Sequence, residues 1–149
     1  MRAWVVSGVC AGALLVPGNA VAAEAGVVFH GSAVLDGDRA EVLLTARNGG
    51  SADVADATVR LRWSVPLTEG QELPARCVRE DERTVLCGTG PLAADEVGER
   101  LRLPVRLRER QAQVSLEVET AWSADVADQD RSSDRTRVLV LATGDTYAF

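Results

Sequence analysis

The sequence predicts an all-β fold, an immunoglobulin-like antiparallel β-sandwich of about seven strands with one disulfide. Three observations lead to this prediction. Apolar and polar residues alternate with a period of two in several segments, turn-forming residues separate those segments, and no segment keeps a helical period. A small β-barrel is the alternative architecture, because it uses the same short alternating strands.

The start of the chain has the pattern of an export signal. A positively charged residue and an apolar stretch from Trp4 to Val16 precede the small-x-small site Ala20-Val21-Ala22. We therefore predict a signal peptide at residues 1–22 and one β-sandwich domain at residues 23–149. The apolar stretch is shorter than the roughly 20 residues that cross a bilayer, and no second stretch follows. The prediction is a secreted protein whose mature form has no membrane span.

Composition narrows the class of partner. The chain has 16 basic and 22 acidic residues, a formal net charge of −6, which argues against nucleic acid as a ligand. Every basic residue is arginine and none is lysine, which is typical of a bacterium with GC-rich coding. At 149 residues, the length suits a single domain with a real hydrophobic core.

The clearest strand pattern lies near the middle of the chain. Val59, Leu61, Trp63 and Val65 form one set, predicted to face inward, and Thr58, Arg60, Arg62 and Ser64 form the outward set. Residues 100–108 repeat it, with Leu101, Leu103, Val105 and Leu107 inward and Arg100, Arg102, Arg106 and Arg108 outward. Pro104 falls on the outward set. Because proline has no N–H for a strand ladder, this strand is predicted to lie at a sheet edge or to bulge.

A third alternating segment follows at residues 114–122, with Trp122 on the inward set and Glu117 and Glu119 on the outward set. Only residues 109–112 separate it from the preceding segment, which predicts a hairpin with both glutamates opposite the arginines. Other strands are predicted at residues 27–30, 41–47, 84–88 and 137–142, and turns at sequences such as Asn48-Gly49-Gly50-Ser51.

The cysteine count supports an oxidising compartment. Removal of the leader takes Cys10 away and leaves Cys77 and Cys87, an even pair. They flank a predicted turn at residues 79–83, so a disulfide between them would join the two arms of a hairpin. A structural bond is predicted, because a redox role needs a closer Cys-x-x-Cys pair and a metal site needs more than two thiols.

The order of short motifs resembles the conserved extracellular repeat of bacterial surface proteins, a DUF-eleven-type Ig-like β-sandwich. The matching stretches are "AEVLLTARNGGSADVADATVRLRWSVP", "CVREDERTVLCGTGPLAADEVGERLRLPVRL" and "SLEVETAWSADVADQDRSSDRTRVLVL". Asn48 with Gly50, Pro66, Cys77 with Cys87, and Leu92-Ala93 carry it. The resemblance spans nearly all of the predicted mature chain and implies a structural or binding role at a cell surface.

No catalytic motif is present, so no enzyme activity, cofactor or metal is predicted. His30 is the only histidine and is interpreted as a strand residue. Asp125, Asp128, Asp130 and Asp134 crowd one segment, but they lack the spacing of a calcium loop, and a solvated turn is favoured.

One candidate functional surface is present, although solvated charges on the outer faces of antiparallel strands are the favoured interpretation of the same residues. Its candidate residues are Arg60, Arg62, Arg100, Arg102, Arg106 and Arg108. Such a stripe would bind an anionic wall polymer, unless neighbouring glutamates neutralise it. We therefore expect a secreted, non-enzymatic module whose partner is a wall polymer or a cell-surface protein. The alternative is a secreted regulator or inhibitor of an extracellular enzyme, acting through a rigid loop at residues 66–76.

Overall fold

The computed structural model describes residues 26–123 and 135–149, and within these ranges the chain forms nine strands and no helix. The strands are β1 (Val27–Asp36), β2 (Arg39–Asn48), β3 (Ala57–Trp63), β4 (Cys77–Asp81), β5 (Thr84–Gly88), β6 (Val97–Arg106), β7 (Gln113–Ser123), β8 (Thr136–Leu141) and β9 (Thr146–Ala148). All the strands predicted from alternation are present. The short strand β9 was not predicted.

Two antiparallel sheets make up the fold. Sheet 1 has the order β6-β2-β1-β9 and sheet 2 has the order β4-β5-β3-β7-β8. Their inner faces pack together, so the predicted β-sandwich is confirmed. The core includes Leu35, Val42 and Leu103 from sheet 1 and Leu61, Trp63 and Leu116 from sheet 2, each at most 1% exposed. Burial of this apolar surface is the main stabilising term.

The predicted β6-β7 hairpin is wrong, because the two strands lie in different sheets. After β6, the Leu107 N–H still donates to the carbonyl of Asp38 at 2.7 Å, while Arg108 N–H donates to the carbonyl of Pro66 at 2.9 Å. Leu107 is also bridged to Leu67 and is buried. The chain therefore crosses from one sheet to the other here, and the short connection spans the sandwich rather than closing a two-strand turn.

Cys77 and Cys87 lie directly opposite each other in the β4-β5 hairpin and form a disulfide. The prediction of a structural bond across a hairpin is confirmed. At its tip, the Asp81 carboxylate accepts a hydrogen bond from the Arg83 N–H at 2.7 Å. This bond outweighs burial and lowers the pKa of Asp81, so the turn is held by a charged acceptor.

A bulge in β7 changes which side chains reach the core. Val59 is opposite Thr120 and Thr58 is opposite Trp122, so Ala121 is an extra residue on β7. The extra residue reverses the alternation, and Trp122 is 50% exposed. The inward position predicted for Trp122 is therefore wrong, whereas Trp63 is 1% exposed, as predicted.

The predicted turn that begins at Asn48 is anchored by that side chain, which is fully buried. Its Nδ2 donates to the carbonyls of Ala52 at 2.7 Å and Leu92 at 3.2 Å. Its Oδ1 accepts from the N–H groups of Gly50 at 3.0 Å and Gly26 at 3.4 Å. One amide thus uses all its donors and joins three chain segments at this end of the sandwich.

Candidate functional site

The six arginines predicted to form one stripe lie on two separate surfaces. Arg60 and Arg62 are on the outer face of sheet 2, and Arg100, Arg102 and Arg106 are on the outer face of sheet 1. Arg108 follows β6 and lies 3.7 Å from Glu69 and 3.8 Å from Glu82. A single stripe through all six is therefore wrong, because β3 and β6 belong to opposite sheets.

On sheet 2, Arg60, Arg135 and Arg137 form ion pairs with glutamates, whereas Arg62 forms none among the described residues. Arg60 forms ion pairs with Glu80 at 3.0 Å and with Glu119 at 3.2 Å. Glu119 also meets Arg135 at 2.7 Å. On the next row of the sheet, Glu117 is opposite Arg62 on one side and forms an ion pair with Arg137 on the other.

Glu117 and Glu119 were predicted to face the arginines of residues 100–108, and this is wrong, because β7 pairs with β3 and β8. The consequence for sheet 2 is alternation of charge across its strands. Hydrogen bonds to Glu80 and Glu119 raise the pKa of Arg60. Burial favours a higher pKa for Glu119, but hydrogen bonds from Arg135 and Arg60 outweigh burial and lower the pKa.

Sheet 1 carries what we call the arginine face. It consists of Arg39, Arg47, Arg100, Arg102 and Arg106, all exposed and on the outward positions of β2 and β6. Three have acidic partners: Arg102 with Glu41 at 2.6 Å, Arg47 with Asp95 at 3.2 Å and Arg106 with Asp38 at 3.8 Å. Within the described part of the chain, neither Arg39 nor Arg100 forms an ion pair.

The register on the arginine face places like charges together. Arg39 lies directly opposite Arg106, an arrangement that is unfavourable without a counter-charge. Beside them lies a shallow depression of about 560 Å³, whose lining includes the apolar residues Val34 and Pro104 and the acidic residues Asp36, Glu41 and Glu72. Two guanidinium groups of this face, those of Arg39 and Arg100, have no ion pair among the described residues, and guanidinium groups bind carboxylate and phosphate oxygens well.

Arg39 and Arg47 were not singled out from the sequence. Their signal was present, because Arg39, Glu41, Leu43, Thr45 and Arg47 are the outward positions of β2, alternating with buried residues. What the sequence did not show was that β2 lies beside β6, which brings the two arginine rows together. Pro104, predicted to mark an edge or a bulge, lies on β6 at the edge of sheet 1.

The remaining candidates do not converge on a site. His30 is exposed on β1, opposite Thr45. Among residues 26–123 and 135–149, no group of three or more histidine, cysteine or acidic side chains could hold a metal ion. The same residues contain no helix that is long and apolar enough to cross a membrane. Four predicted features lie outside the described residues: the signal peptide, Cys10, the cleavage site, and the acidic segment with Asp125, Asp128, Asp130 and Asp134.

No family model matches the chain, and neither does any curated protein. Two solved structures of beta-glucosidase 3B from Thermotoga neapolitana are similar, one in complex with alpha-D-glucose and the other in complex with glucose. The identities are 14% and 13%, and the TM-scores are 0.47 and 0.43. Each covers 84% of this chain, while this chain covers 17% of the glucosidase. A likeness of this degree assigns neither a family nor an activity.

Proposed function

We propose that this protein is an exported, non-enzymatic binding module of a bacterial cell surface, and that it holds an anionic wall polymer on the arginine face. The observation that supports this is the unequal neutralisation of the two outer faces. On sheet 2, Arg60 forms ion pairs with glutamates and Arg62 lies opposite Glu117, although it forms no ion pair among the described residues. On sheet 1, Arg39 and Arg100 also form no ion pair among the described residues, and Arg39 lies opposite another arginine, Arg106. An acidic protein that keeps such a surface has a place for an anion.

Matched charge variants test the proposal. One variant carries Arg39→Gln, Arg100→Gln and Arg102→Gln on sheet 1. The control carries Arg60→Gln, Arg62→Gln and Arg137→Gln on sheet 2, which removes the same charge. Binding is measured by calorimetry with polyphosphate and by co-sedimentation with isolated bacterial cell walls. We expect the sheet 1 variant to lose binding and the control to keep it.

The salt dependence of polyphosphate binding is a second test of the proposal. Exposed charges are screened over about 8 Å at physiological ionic strength, so affinity for polyphosphate should fall steeply as salt rises. Equal losses in both variants would refute a role for this particular face. Binding that neither variant weakens would refute the polymer proposal altogether.

Export is proposed on separate grounds, namely the predicted leader and the disulfide, a bond that persists mainly outside the cytosol. The expected secreted form begins at Ala23 or one residue later and contains no free thiol. Intact-mass measurement of a culture supernatant tests both points. A secreted form that retains Cys10, or that labels with a thiol reagent without reduction, would contradict them.

The regulator or inhibitor remains a second candidate, because the loop at residues 66–76 is firmly held. The Arg79 guanidinium donates to the carbonyl of Thr68 at 2.7 Å and to that of Leu67 at 2.9 Å. Leu67 is buried, while Glu69 and Glu72 are exposed. Inhibition of a secreted hydrolase that Glu69→Arg with Glu72→Arg abolishes, and that Glu109→Arg leaves intact, would favour this candidate.

A further inference from the structure

Among the described strands, none pairs with the outer edge of β6, which leaves backbone hydrogen-bonding groups open there. β6 is at the edge of sheet 1, and its odd-numbered residues from Leu101 to Val105 have buried or half-buried side chains on the core side. The hydrogen bonds of Arg106 and Leu107 show toward which side the backbone groups of β6 point. The Leu107 N–H donates toward β2, to Asp38, whereas the Arg106 N–H donates away from β2, to Gln71 Oε1 at 2.7 Å.

Backbone groups of successive strand residues point to alternate sides. Arg100, Arg102 and Pro104 therefore direct their backbone groups away from β2, as Arg106 does. These comprise the N–H groups of Arg100 and Arg102 and the carbonyls of all three residues, since proline has no N–H. In the described part of the chain no hydrogen bond occupies them. A free edge of this kind is a template for another strand.

A cleft lies beneath this same edge. It has a volume of about 270 Å³ and lies between β6 and the segment that leads into β4. Its apolar lining includes Phe29, Leu44, Ala46, Val59 and Leu101, and its far wall includes Pro74 and Ala75. An added strand would direct alternate side chains toward the core side of the sheet, where this cleft begins, and the volume of the cleft is large enough for an apolar side chain.

Both ends of the free edge are closed. At one end, Arg76 and Glu99 form an ion pair at 2.9 Å. At the other, Gln71 accepts from the Arg106 N–H and donates from its Nε2 to the Arg106 carbonyl at 3.2 Å. The open stretch therefore runs from Arg100 to Pro104.

The charge along the open stretch selects the partner. Arg100 and Arg102 project on its outward side, and of the two only Arg102 has a carboxylate partner among the described residues, Glu41 at 2.6 Å. By contrast, edge strand β4 of sheet 2 carries two acidic residues, Glu80 and Asp81, and one arginine, Arg79. An acidic side chain on an incoming strand is thus favoured at β6 over β4.

We propose that β6 binds an extended acidic peptide by strand addition, pairing with Arg100 to Pro104. The peptide alternates acidic residues, which face Arg100 and Arg102, with apolar residues, one of which enters the cleft lined by Phe29 and Leu44. This mode takes affinity from main-chain hydrogen bonds and specificity from alternate side chains. It does not rest on polymer binding, because the free backbone edge and the cleft carry it.

A synthetic peptide in which glutamate alternates with valine or leucine is the probe. Controls are a peptide of the same composition with the alternation broken, and one with N-methyl groups on alternate amides. On the protein, Ala75→Trp fills the cleft from the exposed far wall and leaves β6 unchanged. Val78→Trp is the matched control, since Val78 is 61% exposed and does not line the cleft. Thermal melts verify that both variants fold.

We expect the alternating peptide to bind saturably, and both control peptides to bind about tenfold more weakly or worse, equivalent to about 1.4 kcal/mol. Ala75→Trp should weaken binding by a similar factor, whereas Val78→Trp should not. Hydrogen exchange should slow at the amides of Arg100 and Arg102. If Ala75→Trp also proves unstable, the N-methylated peptide and the exchange data decide the matter.

Equal binding of the alternating and broken-alternation peptides would overturn the proposal, since charge alone would then explain it. Absence of slowed exchange at Arg100 and Arg102 would also overturn it, as would a protein dimer formed through β6 in place of peptide binding. Polyphosphate binding by Ala75→Trp should be unchanged. A failure of peptide binding is therefore distinguishable from a failure of the arginine face.

Discussion

The outer faces of the two sheets contain strands with a similar sequence pattern but differ in which charges lie next to each other. β3 and β6 both alternate apolar residues with arginine. On sheet 2, β3 lies beside β7, and its Arg60 and Arg62 lie opposite Glu119 and Glu117. On sheet 1, β6 lies beside β2, which brings two further arginines and one glutamate to the face. A strand's own sequence decides which side chains are outward, but its neighbour decides whether their charge is neutralised.

The comparison of the two outer faces depends on which side chains of each strand are exposed. The largest expected effect that tests this assignment is at two tryptophans, Trp63 and Trp122. Trp63→Ala should cost about 3 to 5 kcal/mol of unfolding free energy, because it leaves a cavity in the core. Trp122→Ala should cost under about 1 kcal/mol, since the bulge exposes that ring. Urea unfolding measures both, with Arg62→Ala as a surface control. Comparable losses for the two tryptophans would mean that the bulge is misplaced.

A disulfide joins β4 and β5 at the edge of sheet 2, and no disulfide joins the described strands of sheet 1. Removal of the bond tests whether its stabilising effect is local. Replacing Cys77 and Cys87 together by alanine should cost roughly 3 kcal/mol on the chain-entropy model. Hydrogen exchange should increase mainly in β4 and β5, with β1 and β2 of sheet 1 less affected. The reduced wild-type protein is the control. An increase in exchange that is uniform over both sheets would contradict a local role for the bond.

The smallest effect comes from charge neutralisation itself. Glu119→Gln should cost about 1 kcal/mol at neutral pH, because Glu119 meets both Arg60 and Arg135. The pKa of Glu119 is lowered in the fold from its ordinary 4.5, so its contribution is present above about pH 4.5 and is lost as pH falls through the lowered pKa. The difference between wild type and variant should therefore shrink below pH 4.5.

Glu41→Gln on sheet 1 is the matched control for that measurement. Glu41 meets the single exposed Arg102, and the change in unfolding should lie within the error of the melts. A larger loss at Glu41 than at Glu119 would reverse the assignment of the neutralised face to sheet 2.

Much of the fold could be predicted from local pattern. Alternation located β3 and the inward residues of β6 correctly, and the placement of Pro104 indicated an edge strand. The cysteine pair indicated the β4-β5 hairpin. These features depend on interactions between residues close in sequence or on the period of two itself.

The predictions that are wrong concern features that depend on pairing between residues distant in sequence. Nothing in residues 107–112 shows that the chain crosses to the other sheet, because the hydrogen bonds that direct it come from Asp38 and Pro66. The bulge at Ala121 likewise depends on β3, and it moved Trp122 to the surface. The candidate site was affected in the same way. Outward arginines were identified correctly, but grouping them required the order of strands in each sheet.

The hydrogen bonds of the buried Asn48 amide also protect a sequence that is chemically prone to deamidation. Asn48 precedes Gly49, and glycine gives little steric protection against attack of its nitrogen on the asparagine side chain. In the fold, the Gly49 N–H donates to Gly26 at 2.8 Å, and the amide is held by its own four hydrogen bonds. Deamidation must therefore wait for this corner to open. Deamidation would replace the donor amide by a carboxylate facing the carbonyls of Ala52 and Leu92, which cannot form those two hydrogen bonds. Each opening of this corner therefore exposes the protein to an irreversible chemical change.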